Sequence, residues 1–184
     1  MAAVLSGQRI LNGALPEVQH WGLRVWGLMR YFTILTNGLV AVPMARHALG
    51  VKVSADWHMT AALGIAMVGM IYQILLAPPT PLIGAAWATD FAFHAAVPVL
   101  EVAWWLAFAP KPSSLGNLPL WLLWPLAYRP YALIRGRVER HYPYFFVDVG
   151  QYGLARVRAN VAGLIVVFAG AGVAMWALGR TSAR

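Results

Sequence analysis

Two stretches of this chain, 59–77 and 160–178, each run for about nineteen residues without a formally charged side chain. A bilayer core about 30 Å thick is crossed by about 20 apolar residues of helix, so each stretch has the length of a membrane span. Lipid offers no partner to a backbone N–H or C=O. A spanning segment must therefore bond its own backbone, as an α-helix does. Three further stretches, 29–49, 85–109 and 118–134, are apolar enough to join them. The last is short and interrupted by Pro125 and Pro130. The expected fold is all-α: a polytopic transmembrane helical bundle in a single domain, 1–184, with five spans. A sixth is possible if an atypical N-terminal segment counts.

Composition supports lipid as the solvent. Apolar and aromatic residues make up 60% of the chain and charged residues 11%, against about 45–50% and about 25% in soluble domains. The 14 Lys and Arg outnumber the 6 Asp and Glu, for a net charge of +8. Most of these cations sit at the ends of apolar stretches, where they meet headgroups. Membrane lipids are therefore the expected partner, and nucleic acid is not. There is no cysteine, which excludes disulfides, thiolate metal sites and covalent haem attachment. No metal and no cofactor are expected.

Trp57, Trp87, Trp121 and Trp176 lie near span ends, as aromatic belts do. The first 28 residues hold Gln8, Arg9, Asn12, Pro16, Glu17, Gln19 and Arg24. That is too polar to span, and it reads as an interfacial segment or the remnant of a helix. Arg9 interrupts the only short apolar run there, so no signal peptide is read. The segment 135–158 carries five Arg. With Arg9, Arg24 and Arg30 it marks one side as cytoplasmic.

Ionisable residues inside a span cost roughly 2.5–3.5 kcal/mol and tend to face the interior of the bundle. In the third span Asp90, His94 and Glu101 follow helical spacing on one face. Asp90 stands one turn before His94 and can fix its tautomer and raise its basicity. Pro98 lacks an N–H, so the carbonyl of His94 loses its helical partner. A buried imidazole with a carboxylate neighbour suits a general base, although such residues can also merely bond other helices. In the first span Arg30, Thr33 and Asn37 share a face. They can offer a charge, a hydroxyl and an amide to an anionic or carbonyl substrate. Thr36 points about 100° away from Asn37. Parallel spans bring Thr33 and His94 to similar depth. The stretch 141–150, with Tyr142, Pro143 and Tyr144, reads as an aromatic interface belt or a lid-like turn that binds substrate. The kinked stretch 124–129 would support it.

Several motifs carry a resemblance: Arg30-Tyr31-Phe32-Thr33-Ile34-Leu35-Thr36-Asn37, Phe93-His94-Ala95-Ala96-Val97-Pro98, Trp124-Pro125-Leu126-Ala127-Tyr128 and Tyr142-Pro143-Tyr144. They resemble bacterial six-span integral membrane proteins without an assigned function. More distantly, they are similar to the androgen-induced and androgen-dependent transmembrane hydrolases, which cleave esters of hydroxy fatty acids with an intramembrane Thr and a His. The resemblance implies a nucleophile at Thr33, a base at His94 and a place in a bacterial inner membrane.

The leading expectation is a membrane-embedded hydrolase of lipid esters. In it Thr33, His94 and Asp90 are catalytic, and Arg30, Asn37, Glu101, Tyr142 and Tyr144 bind substrate. The rivals are a lipid- or partner-binding bundle without turnover and a small proton-coupled carrier using Asp90, His94 and Glu101.

Overall fold

The computed structural model describes residues 17–80 and 82–182. Gln8, Arg9, Asn12, Pro16, Pro81 and Arg184 lie outside the described residues, as do the side chains of 17–20 and 182. Every regular element among the described residues is helical. In order they are α1 (Glu17–Leu28), α2 (Phe32–Ala48), α3 (Ala55–Ile71), a π-helical turn (Tyr72–Leu76) and α4 (Gly84–Phe91). A second π-helical turn (Ala92–Ala96) leads directly into α5 (Val97–Phe108). After the 3₁₀ turn Leu115–Asn117 come α6 (Leu118–Trp121), α7 (Leu123–Glu139), the 3₁₀ turn Phe145–Val147 and α8 (Val149–Ser182).

Three helical runs are long and apolar enough to cross a membrane: Ala55–Leu76, Gly84–Phe108 and Val149–Thr181. They cover the expected second, third and fifth spans. The first expected span, 29–49, corresponds to α2, which reaches the length of a span only when joined to α1, and the chain turns by 95° between them. The fourth is divided at Leu122 into α6 and α7. The last run starts well before residue 160 and contains a break at Gly153, where φ is 73°.

α3 is the central helix. It packs against α2, α5 and α8, and its side chains from Met59 to Val68 are mostly buried. This explains its charge-free sequence, since nearly every face meets another helix. Its start is set by Ser54, which accepts a hydrogen bond from the Trp57 N–H at 3.2 Å, satisfying one of the free N–H groups of the first turn. Asp56 in that turn accepts from Asn117 and from Trp121 Nε1, at 3.0 and 2.8 Å. It thereby ties α3 to α6.

The corner between α1 and α2 leaves a row of carbonyls without helical partners, and each is satisfied. The Trp26 carbonyl accepts from Arg135. The Gly27 carbonyl accepts from Arg30 Nε at 3.0 Å and the Leu28 carbonyl from the Tyr31 N–H at 3.1 Å. Tyr131 caps Met29 at 2.8 Å and Tyr128 caps Arg30 at 2.7 Å. Three of the five donors belong to α7, so that helix holds the corner. Arg135 also stacks 4.0 Å over the Trp26 ring and bonds Glu139 at 2.7 Å. Trp21 and Trp26 leave more than half of their surface exposed. That is the character of an interfacial helix, in keeping with one reading of the N-terminal segment.

α3 and α5 approach closely at Gly69. A Cβ there would lie 3.0 Å from Pro98 Cβ and 3.3 Å from the His94 carbonyl oxygen. The absence of a side chain lets the two backbones meet at this level. Tyr72, one turn after Gly69, then faces His94, one turn before Pro98.

Candidate active site

Thr33 occupies the first turn of α2, just past the corner. Its Oγ1 lies 3.3 Å from His94 Nε2. His94 sits in the π turn between α4 and α5. The turn has its cause in the sequence: Pro98 cannot donate to the His94 carbonyl, and the Val97 N–H bonds back to Ala92. Such turns recur at functional sites, because they re-aim one side chain without ending the helix. The other ring nitrogen, Nδ1, lies 3.1 Å from Asp90 Oδ1 and 3.1 Å from the Asp90 carbonyl. With acceptors on that side, the partners assign the proton to Nδ1 and leave Nε2 to accept from Thr33. Thr33, His94 and Asp90 thus form one connected chain.

Tyr72 is a fourth member that composition and spacing did not single out. Its ring stacks on His94 with centroids 3.7 Å apart and 11° between planes, and its hydroxyl donates to Asp90 Oδ1. The signal was hidden: one Tyr among seven, near the end of an unbroken apolar run.

Tyr144 closes the other side of Thr33. Its hydroxyl accepts from the Phe32 N–H at 2.9 Å and interacts with the Thr33 amide and side chain. Burial pushes the Tyr144 phenol above its ordinary pKa, against the hydrogen bonds with Thr33 and Phe32. It therefore stays protonated at neutral pH and can donate. The positive end of the α2 dipole points into the same space. Thr33 and Tyr144 line a half-open cavity of about 90 Å³, with otherwise mostly apolar walls from α2, α3, α7 and α8. Arg129 also lines it. Arg129 is exposed and makes no ion pair among the described residues.

The remaining expected site residues do not join this chain of contacts. Asn37 donates to the Thr33 carbonyl of its own helix at 2.8 Å. Arg30 Nη2 lies 3.0 Å from Glu139 Oε2, an ion-pair contact off the hydrogen-bond direction. Tyr142 packs against Gly136, where an added Cβ would meet its ring at 2.2 Å. Glu101 is buried on α5, and its Oε1 has no hydrogen-bond partner among the described residues. The π turn inserts a residue into the helix and rotates all later positions by about 100° around the axis. Uninterrupted counting from His94 to Glu101 therefore does not apply. Among the described residues no group of three or more His, Asp or Glu is arranged to hold a metal ion. Comparison of the chain with protein-family models, with curated proteins and with solved structures finds no match in any of the three.

Proposed function

We propose that this is a multi-pass membrane hydrolase that cleaves ester bonds of lipid-like amphiphiles through Thr33. The supporting observation is the contact of Thr33 Oγ1 with His94 Nε2 at 3.3 Å, with Asp90 on the opposite ring nitrogen, at the wall of an apolar cavity. The resemblance of the Thr33 and His94 motifs to the transmembrane threonine hydrolases agrees with it, and a bacterial inner membrane is the setting it implies.

The reaction would run as acyl transfer through the threonine. Thr33 Oγ attacks the ester carbonyl while His94 Nε2 takes its proton. The carbonyl oxygen becomes an oxyanion facing the Tyr144 hydroxyl, which the Phe32 N–H holds in place. Collapse breaks the ester C–O bond, and the leaving alkoxide receives the proton from His94. Water then attacks the acyl-threonine with His94 again as base, releasing the acid and restoring Thr33. Asp90 stabilises the imidazolium and holds its orientation. The acyl chain lies in the cavity. Arg129 offers a cation to a carboxylate or phosphate on the same amphiphile.

The test is hydrolysis of a fluorogenic medium-chain ester by the purified full chain. Thr33→Ala is expected to lower kcat by ~10³-fold or more and to abolish covalent labelling by a fluorophosphonate. Equal turnover and labelling in both proteins would end the proposal. The cavity also suits a lipid-binding bundle without catalysis. That alternative predicts a lipid retained equally by wild type and Thr33→Ala in native mass spectrometry, with no turnover in either.

A further inference from the structure

We infer that Tyr72 is a positioning residue that locks both the ring plane and the tautomer of His94. It touches two members of the chain at once. Its ring lies flat on the imidazole at 3.7 Å, and its hydroxyl donates to Asp90 Oδ1, the same oxygen that lies 3.1 Å from His94 Nδ1. Tyr72 does not line the cavity, so it acts through His94 and not on a ligand.

Each half of the contact has its own effect. The stack opposes rotation of the imidazole about its Cβ–Cγ bond, the motion that would turn Nε2 away from Thr33. The hydroxyl satisfies Asp90 in partly buried surroundings and fixes the carboxylate against Nδ1–H. A half-satisfied polar network in such surroundings is costly and free to rearrange, whereas a fully bonded one is rigid. The backbone is prepared for the contact as well. Gly69 is three residues before Tyr72 and Pro98 four after His94, and at these two positions α3 and α5 approach closely. Both aromatic rings also lie in π turns.

The inference rests on the proposed hydrolysis for its consequence, but the contact has a readout of its own. The full chain is labelled with ¹⁵N-histidine in detergent micelles, and the His94 ring resonances are assigned with His94→Gln. Wild type is expected to show the Nδ1–H tautomer. Tyr72→Phe keeps the ring and loses the hydroxyl, so a second tautomer should appear. Tyr72→Leu loses both contacts and should show the two tautomers in exchange. In parallel, kcat on the fluorogenic ester should fall about tenfold in Tyr72→Phe and about a hundredfold in Tyr72→Leu, with KM within about twofold. A wild-type tautomer pattern in both variants would overturn the inference, as would a raised KM at unchanged kcat. If Tyr72→Leu does not fold, Tyr72→Phe decides alone. If wild type turns over no ester, the hydrolase proposal falls, and the tautomer comparison still decides the role of Tyr72.

Discussion

Thr36 shows how much one hydroxyl can decide in an apolar interior. It is fully buried, and its Oγ1 accepts from Trp124 Nε1 at 2.9 Å. A Thr in a membrane helix often bonds the carbonyl one turn back. Here an indole N–H from α7 reaches the hydroxyl instead. Thr36→Val keeps the shape and removes the acceptor, leaving a buried N–H with nothing to bond. The expected cost is about 1–3 kcal/mol, read as a lower melting midpoint in detergent. Adding Trp124→Phe should recover part of the loss, because both partners are then apolar; full additivity of the two changes would refute the coupling. Nothing in the sequence announced this pair. Nine Trp and seven Tyr offer many possible donors, and the choice depends on how α2 and α7 rotate against each other. Thr33, His94 and Asp90 were legible for the opposite reason. Polar side chains are rare in the spans, and two at similar depth have few alternatives to meeting each other.

The helices depart from regular geometry where the site needs them to. Pro98 made one irregularity visible in the sequence, namely the freed carbonyl of His94. The π turn at Tyr72–Leu76 stands in the same register to a proline, since Pro78 lacks the N–H that would bond the Ile74 carbonyl and the Ala77 N–H bonds back to Tyr72; the corner before α2 has no such marker. Simple apolar counting therefore gave the spans well in α3 and in the run from α4 to α5. It set the start of the first span at residue 29, beside the corner, without showing the turn itself, and the interruption read in the fourth span falls at Leu122, where Pro125 has no N–H for the Trp121 carbonyl. Gly69 tests the interlocking of helices directly. Gly69→Ala gains helix propensity of up to ~1 kcal/mol, but it forces Pro98 and the His94 carbonyl back by a few tenths of an ångström, an overpacking cost of about 1–3 kcal/mol. The two roughly offset or leave a small loss of stability, while ester turnover should drop about tenfold as the Tyr72–His94 stack loosens. Gly38→Ala is the control, since nothing lies within 4 Å of an added Cβ there. It should gain stability and keep its rate. Loss of rate in both proteins would show that Gly69 has no special role.

Taken whole, the molecule places a charge network at the end that carries Thr33. Arg30, Arg135 and Glu139 form it, and it joins α7 to the corner. Burial opposes ionisation of Glu139, but the bond and charge of Arg135, together with Arg30, hold its carboxyl below the usual glutamate range. A carboxyl depressed in the folded state adds stability above its unfolded pKa, and that contribution is lost as pH falls through the folded value. The melting midpoint should therefore be level from neutral pH down to about the ordinary glutamate pKa of ~4.3 and fall below it. Glu139→Gln should melt lower at pH 7 and lose much of this acid sensitivity. An unchanged acid limb in Glu139→Gln would place the effect elsewhere.

The saturated corner carries one more consequence. The carbonyls of Trp26, Gly27, Leu28, Met29 and Arg30 each accept a bond from within the protein, so the corner is fixed without help from water. Thr33 is the second residue of α2, three residues beyond Arg30 in the chain. If α1 lies along the headgroups, Thr33 waits at the depth where an amphiphile's ester joins head to chain. The bond to be cut then arrives by sideways diffusion within one leaflet and need not be lifted from it. Turnover under the proposed hydrolysis would track the mole fraction of the amphiphile in the bilayer, and diluting the bilayer with inert lipid would slow it at constant bulk concentration.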